Sequence, residues 1–170
     1  MIIMASMFRL YNYPLVATTL QAKLADLKDP TKNNSDPIYD GGVRLSVPRK
    51  VSLFKGCLGV VRLRRVPKIT AGMGGRGKVA QIDGVVFTFV PGNSDESVVK
   101  ALHYGDLVDA YFHNSEILEI PGAKIFAVKD DPQNWDTFNV NGNPKMPKWY
   151  TIAATQFVVT KPSEKAVTYP

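Results

Sequence analysis

The segment that most constrains the fold is a β-rich run at residues 78–90, Lys-Val-Ala-Gln-Ile-Asp-Gly-Val-Val-Phe-Thr-Phe-Val. β-Branched and aromatic residues dominate this run, and such residues favour strands over helices. Asp83-Gly84 stands between its two halves, and Asp-Gly is a strong signal for a two-residue hairpin turn. The sequence therefore predicts a hairpin with Ile82 opposite Val85. Both faces of this hairpin are largely apolar, so we expect each face to be covered.

The rest of the chain is punctuated by 12 Pro and 13 Gly in 170 residues. Frequent turn residues divide a chain into short segments, which favours strands over a helical bundle. The length is typical of one domain with its own core. We therefore predict a mainly β fold, a β-barrel or β-sandwich and possibly an OB-like barrel. An N-terminal helix and one short helix inserted between strands complete the predicted fold.

The predicted helices have clear signals. Residues 15–27 follow Pro14 and place Val16, Leu20 and Leu24 on one face. Ser94 or Asp95 caps the second helix, which we expect to end near His103 because Gly105 follows. The predicted strands cover residues 43–47, 51–54, 58–66, 107–113, 116–120, 123–129 and 149–160.

The polar stretch 28–41 divides the chain in this reading. Residues 1–40 form an N-terminal arm and helix with a linker, and residues 41–170 form the β-domain. Within that domain, residues 130–148 are rich in Asn, Asp and Pro and are predicted to be a long loop.

Residues 71–78, Ala-Gly-Met-Gly-Gly-Arg-Gly-Lys, match two nucleotide-binding patterns locally. A phosphate-binding loop of the Walker type needs Ser or Thr after its Lys and a helix that begins there. Here Val79 follows Lys78, and a β-rich run follows Val79. A dinucleotide site needs the same strand–loop–helix setting. We therefore predict a glycine-built connection between two strands, and we expect no nucleotide hydrolysis.

Positive charge is concentrated around this loop. Residues 41–82 contain ten Lys and Arg and no Asp or Glu, whereas the whole chain has a net charge of +6. Such asymmetry indicates a polyanion or an acidic protein surface as partner. The predicted contact residues are Arg44, Arg62, Arg64, Arg65, Lys68, Arg76 and Lys78. Aromatic residues beside a basic surface can stack on bases or fill an interface, and the candidates are Trp149, Tyr150 and Trp135.

The residues that could support catalysis have structural explanations instead. Cys57 lies among apolar residues and is predicted to be buried, and a single cysteine gives no cysteine-based zinc site. His103 and His113 have no carboxylate-rich motif beside them, and no Gly-x-Ser-x-Gly motif supports a serine nucleophile. We therefore expect a chain that is not an enzyme and that uses no cofactor or metal.

The N-terminus is apolar but has no Lys or Arg before the apolar stretch, so it does not have the layout of a signal peptide. No apolar run reaches the about 20 residues of a membrane helix. We expect a structural or assembly protein, such as a phage capsid cement, decoration or head–tail joining protein, in a virion or the host cytoplasm. Its expected partners are other copies of itself or other structural proteins. The alternative is an OB-like single-stranded nucleic-acid-binding protein.

Overall fold

The computed structural model describes residues 13–33, 36–64, 68–71, 78–128 and 135–162. Within these ranges the chain is mainly β, with seven strands and two α-helices. In chain order the elements are α1 (Tyr13–Ala25), β1 (Val43–Arg44), β2 (Leu58–Leu63), β3 (Lys68–Ala71), β4 (Lys78–Pro91), α2 (Asp95–Phe112), β5 (Lys124–Ala127), β6 (Trp135–Asn139) and β7 (Trp149–Pro162).

The strands form one mixed sheet with β4 and β7 at its centre. Its main order is β1-β2-β4-β7-β5, while β3 also pairs with β4 and β6 with β7. The β1–β2 pair is parallel and the other pairs are antiparallel. The predicted β-rich class is therefore confirmed. The sheet is not closed, so a barrel is not shown, and all seven described strands belong to one sheet instead of the two that a sandwich needs.

The hairpin predicted at Asp83-Gly84 is wrong, because both residues lie in the middle of the continuous strand β4. Gly84 pairs with Phe157 of β7. A Cβ added at Gly84 would lie 2.3 Å from the ζ carbon of Phe157. The glycine is therefore explained by the aromatic ring that lies over it, a pairing that compensates for glycine in strands.

The two strands that flank the glycine-rich segment pair with each other. β3 and β4 pair antiparallel, with Ala71 opposite Lys78. The prediction that the glycine-rich segment connects two strands is thus confirmed by the strands that flank it. Residues 72–77 themselves lie outside the described residues.

Helix α2 is longer than predicted, since Gly105 indicated an end near His103. The predicted cap is confirmed, since the Ser94 hydroxyl accepts a hydrogen bond from the Ser97 N–H. The helix continues through Gly105 to Phe112, so the predicted strand at 107–113 is wrong. The buried side chains of α2 repeat at helical spacing and outweigh the glycine signal; they are Ser97, Ala101, Tyr104, Val108 and Phe112. Gly105 faces the sheet, where its carbonyl accepts a hydrogen bond from the Thr155 hydroxyl.

The remaining predictions have mixed outcomes. Helix α1 and the strands β2, β5 and β7 confirm predictions at those positions. The strand predicted at 116–120 is wrong, because this segment forms turns. The strand predicted at 51–54 is also wrong, because residues 51–53 form a 3₁₀ turn. The strand predicted at 43–47 is limited to two residues. The predicted loop 130–148 contains β6 at residues 135–139.

The main core lies between one face of the sheet and the two helices. Val16, Leu20 and Leu24 of α1 belong to it, together with the buried side chains of α2. A smaller core on the opposite face is built from Phe54, Leu58, Val60, Phe89 and Tyr150, with Phe138 packed against it. The rings of Phe54 and Phe138 cover only this end of the opposite face.

We expect Gly84→Ala to lower the free energy of unfolding by about 1–3 kcal/mol, because the added methyl overpacks against the buried Phe157 ring. Gly105→Ala is the matched control. Its methyl would meet Ala153 and Thr155 at ordinary contact distances of 3.6 and 3.7 Å. Alanine also favours a helix over glycine, so this variant should be more stable by about 0.5–1 kcal/mol. Denaturant unfolding of both variants measures the difference, and equal effects would contradict this account.

Candidate interaction surface

The candidate site lies on the sheet face opposite the helices, at the end that no described residue covers. Side chains alternate between the two faces of a strand, so Arg62, Val85 and Gln156, which are aligned across β2, β4 and β7, share this face. We call this surface the open face. Its residues are Arg44, Arg62, Arg64, Asp83, Val85, Phe87, Phe126, Ala154, Gln156 and Val158.

The part of the open face between Arg62 and Gln156 forms a groove of about 510 Å³. Val85 and Phe87 are half-buried on its floor, and Arg62 and Gln156 are exposed. Phe126 of β5 lies opposite Val158 and keeps 46% of its surface exposed. The groove therefore combines an apolar floor with charged and polar side chains.

Cations outnumber anions on this surface. Asp83 is the one acidic residue among the ten that define the open face, and its carboxylate contacts two neighbouring side chains. Its Oδ1 accepts a 2.9 Å hydrogen bond from Gln81 Nε2, and its Oδ2 lies 3.9 Å from a guanidinium nitrogen of Arg64. The buried Nε of Arg44 has no hydrogen-bond partner among the described residues. A buried donor of this kind is satisfied when an acceptor is brought to it.

Three of the predicted contact residues come together here. Arg44, Arg62 and Arg64 lie on one face because alternate positions of β1 and β2 point the same way. Lys68 and Lys78 lie at the ends of β3 and β4, and only their backbone positions are described. Arg65 and Arg76 lie outside the described residues.

The predicted aromatic residues are placed differently. Tyr150 is 1% exposed, and its hydroxyl donates a hydrogen bond to the Gly56 carbonyl at 3.2 Å. The ring is therefore part of the smaller core. Trp149 is half-buried at the start of β7. Trp135 lies in β6 opposite Ala153, and its side chain is not described.

Sequence reasoning missed Phe126, the most exposed aromatic residue of the open face. The signal was present in Lys124-Ile125-Phe126-Ala127, where buried Ile125 alternates with exposed neighbours. Phe87 is half-buried on the floor of the groove, where it packs against the smaller core. Only the pairing of β5 with β7 places both rings on the same face.

A second, polar pocket of about 280 Å³ lies beside the start of α2. Asp40 Oδ1 accepts the Cys57 N–H at 2.6 Å. A Cβ on Gly56 would lie 2.5 Å from that carboxylate, and the φ of Gly56 is +55°, so glycine is required there. Burial raises the pKa of the Cys57 thiol, against the opposing effect of Lys100. The buried thiol therefore has little thiolate character, as expected for a structural cysteine.

A buried carboxylate next to this region joins the loop after α1 to α2. Asp29 Oδ1 accepts hydrogen bonds from the Thr31 hydroxyl and N–H at 2.6 and 2.9 Å. Asp29 Oδ2 lies 2.9 Å from His103 Nε2. The Thr31 hydroxyl first, then its N–H and His103, lower the pKa of Asp29 to about 2. These contacts fix the loop to the middle of the helix.

The comparisons with known proteins do not identify a family. No protein-family model matches the chain, and no curated protein matches its sequence. Among the described residues, no cluster of three or more His, Cys, Asp or Glu side chains has the arrangement of a metal site. No described helix has the length and apolar character needed to cross a bilayer.

We expect Asp29→Asn to lower the free energy of unfolding at neutral pH, because the amide cannot replace the charged acceptor. A carboxylate with a lowered pKa stabilises the folded state above its unfolded pKa of about 4, and this contribution is lost as pH falls towards about 2. The deficit of the variant should therefore shrink between pH 4 and pH 2. Urea unfolding across this range measures it.

Glu116→Gln provides the control, because Glu116 is an exposed carboxylate in the turn after α2. We expect its unfolding profile to follow that of the native chain. A deficit of Asp29→Asn that stayed constant from pH 7 to pH 2 would contradict a role for the Asp29 charge.

Proposed function

We propose that this chain is a non-enzymatic structural protein that works by docking its open face on another component of an assembly. A small virion component, such as a phage capsid cement, decoration or head–tail joining protein, is the class we favour. The observation that carries the proposal is the open face, which places Arg44, Arg62 and Arg64 at one edge of the sheet on the same face as Val85, Phe87 and Phe126.

The composition of the open face supports a protein partner. Cores of protein interfaces are enriched in aromatic residues and arginine, while lysine and acidic residues are depleted. An antiparallel sheet face that meets only water normally carries polar side chains. Here Val85, Phe87 and Val158 occupy positions that such a face would make polar.

Arginine also indicates what the partner presents. A guanidinium group forms paired hydrogen bonds with carboxylates, and these bonds are stronger where water is excluded. The partner surface should therefore be acidic and partly apolar.

The other polar groups support a structural role. Tyr39 is buried, its hydroxyl shares a 2.8 Å hydrogen bond with Thr88, and burial raises its pKa. Asp29 holds a loop to α2, and the Cys57 thiol is buried. Each group is engaged in holding elements together.

Single-stranded nucleic-acid binding is the second candidate. Its supporting observation is that Arg62 and Arg64 line the same groove as the half-buried ring of Phe87. Stacking on such rings and contact with phosphates would then provide affinity. The aliphatic residues Val85 and Val158 have no role in that alternative, so we favour the protein partner.

We expect the double variant Arg62→Glu/Phe126→Asp to remain folded, because both side chains are exposed, and to lose association. Interface anchors typically contribute more than about 2 kcal/mol, so binding should weaken at least about 30-fold. Analytical ultracentrifugation over a concentration series measures self-association. Co-sedimentation with particles from cells that express the gene measures binding to other components.

The matched control is Arg49→Glu/Leu53→Asp, which makes the same chemical changes in the exposed segment between β1 and β2. It should associate like the native chain. A native chain that stays monomeric at high concentration and never sediments with particles would contradict the proposed function. Retention of single-stranded DNA that falls with salt at a log–log slope of about −2, from three phosphate contacts, would favour the second candidate.

A further inference from the structure

Helix α2 has an outer surface that complements the open face. Its buried stripe faces the sheet, so the residues half a turn away point outward. This outer stripe consists of Asp95, Val99, Leu102, Asp106 and Ala110, spaced by three or four residues. Val99, at the centre of the first half of this stripe, is 65% exposed.

The outer stripe is acidic and apolar, whereas the open face is basic and apolar. Asp95 and Asp106 are exposed on either side of Val99, and exposed Glu96 adjoins Asp95. The open face offers Arg44, Arg62 and Arg64 along one edge of its apolar floor. Complementary charges around matched apolar centres are the arrangement found in specific protein interfaces.

The dimensions of the two surfaces also agree. From Asp95 to Ala110 the outer stripe extends about 22 Å, at 1.5 Å per residue. The strands β2, β4, β7 and β5 lie side by side, and their outer members are about 14 Å apart at 4.8 Å per spacing. The stripe is therefore long enough to cross all four strands.

We propose that the outer stripe of one copy docks on the open face of a second copy, in a head-to-tail contact. The inference rests on the proposed function and names a second copy of this chain as the acidic partner. The sheet lies between α2 and the open face, so the two surfaces are on opposite sides of one molecule. A docked pair therefore still has one free open face and one free outer stripe, so further copies can add to it and form a ring or a filament.

Two variants test this contact. The face variant is Arg62→Glu/Phe126→Asp, and the stripe variant is Val99→Asp/Ala110→Asp; all four positions are exposed. We expect the native chain to form species above its 18.8 kDa monomer mass. Each variant alone should be monomeric, with a dissociation constant at least tenfold higher. Size-exclusion chromatography with light scattering measures the masses.

The decisive measurement is an equimolar mixture of the two variants. The face variant keeps a native stripe and the stripe variant keeps a native open face, so one productive contact forms between them. The remaining pair of surfaces is acidic on both sides and repels. The mixture should therefore contain a one-to-one heterodimer and nothing larger. A stripe variant that still self-associates, a mixture that stays monomeric or a native chain that stays monomeric would each overturn the head-to-tail contact.

Circular dichroism and thermal unfolding verify that each variant is folded. The single variants Phe126→Ser, in the open face, and Ala110→Glu, in the outer stripe, repeat the test with fewer changes. Arg49→Glu/Leu53→Asp again serves as the control and should assemble like the native chain.

Failure of the inference differs from failure of the proposed function. If the face variant loses co-sedimentation with particles while the stripe variant keeps it and self-associates normally, the proposed function holds and the head-to-tail contact does not.

Discussion

The pairing of β4 with β7 is the interaction on which the rest of the structure depends. The two strands are aligned from Val79 opposite Pro162 to Pro91 opposite Tyr150. Every other strand except β1 pairs with one of them, and α2 packs across both. The backbone hydrogen bonds of this pair fix which side chains face the helices and which face outward, because a slip of one residue would exchange the two faces. The position of the arginines on the open face follows from this register.

The helices separate the two faces into different environments. One face of the sheet packs against α1 and α2, which bury a continuous apolar core. The other face is covered at one end by the rings of Phe54 and Phe138, and no described residue covers its other end. Burial of apolar area is favourable by about 25 cal/mol per Å². A partner that covers the exposed apolar end therefore gains binding free energy, and the proposed contacts depend on this gain.

The sequence predicted those features that depend on local chemistry. The Ser94 cap, the apolar face of α1 and the alternation in β2 are each determined by residues close in the chain, and each was predicted correctly. Two of the errors concern glycines. Asp83-Gly84 and Gly105 have the local signals of a turn and a helix end, but Phe157 lies over Gly84 and the sheet packs against Gly105. The partner that explains each glycine is about fifty residues or more away in the chain. Likewise, alternation along β2 placed Arg62 and Arg64 together, whereas Phe126 joined them only through the pairing of β5 with β7.

The ring of Phe157 over Gly84 has a consequence for how the sequence can diverge. Phe157 also contacts Phe112 of α2, with ring centroids 5.3 Å apart. A side chain at position 84 removes the space that the ring occupies, and a smaller residue at 157 leaves a cavity under α2. Neither position can therefore change freely by itself. In diverging descendants of this chain, a larger residue at 84 should appear together with a smaller one at 157, so that the combined volume under the helix is conserved.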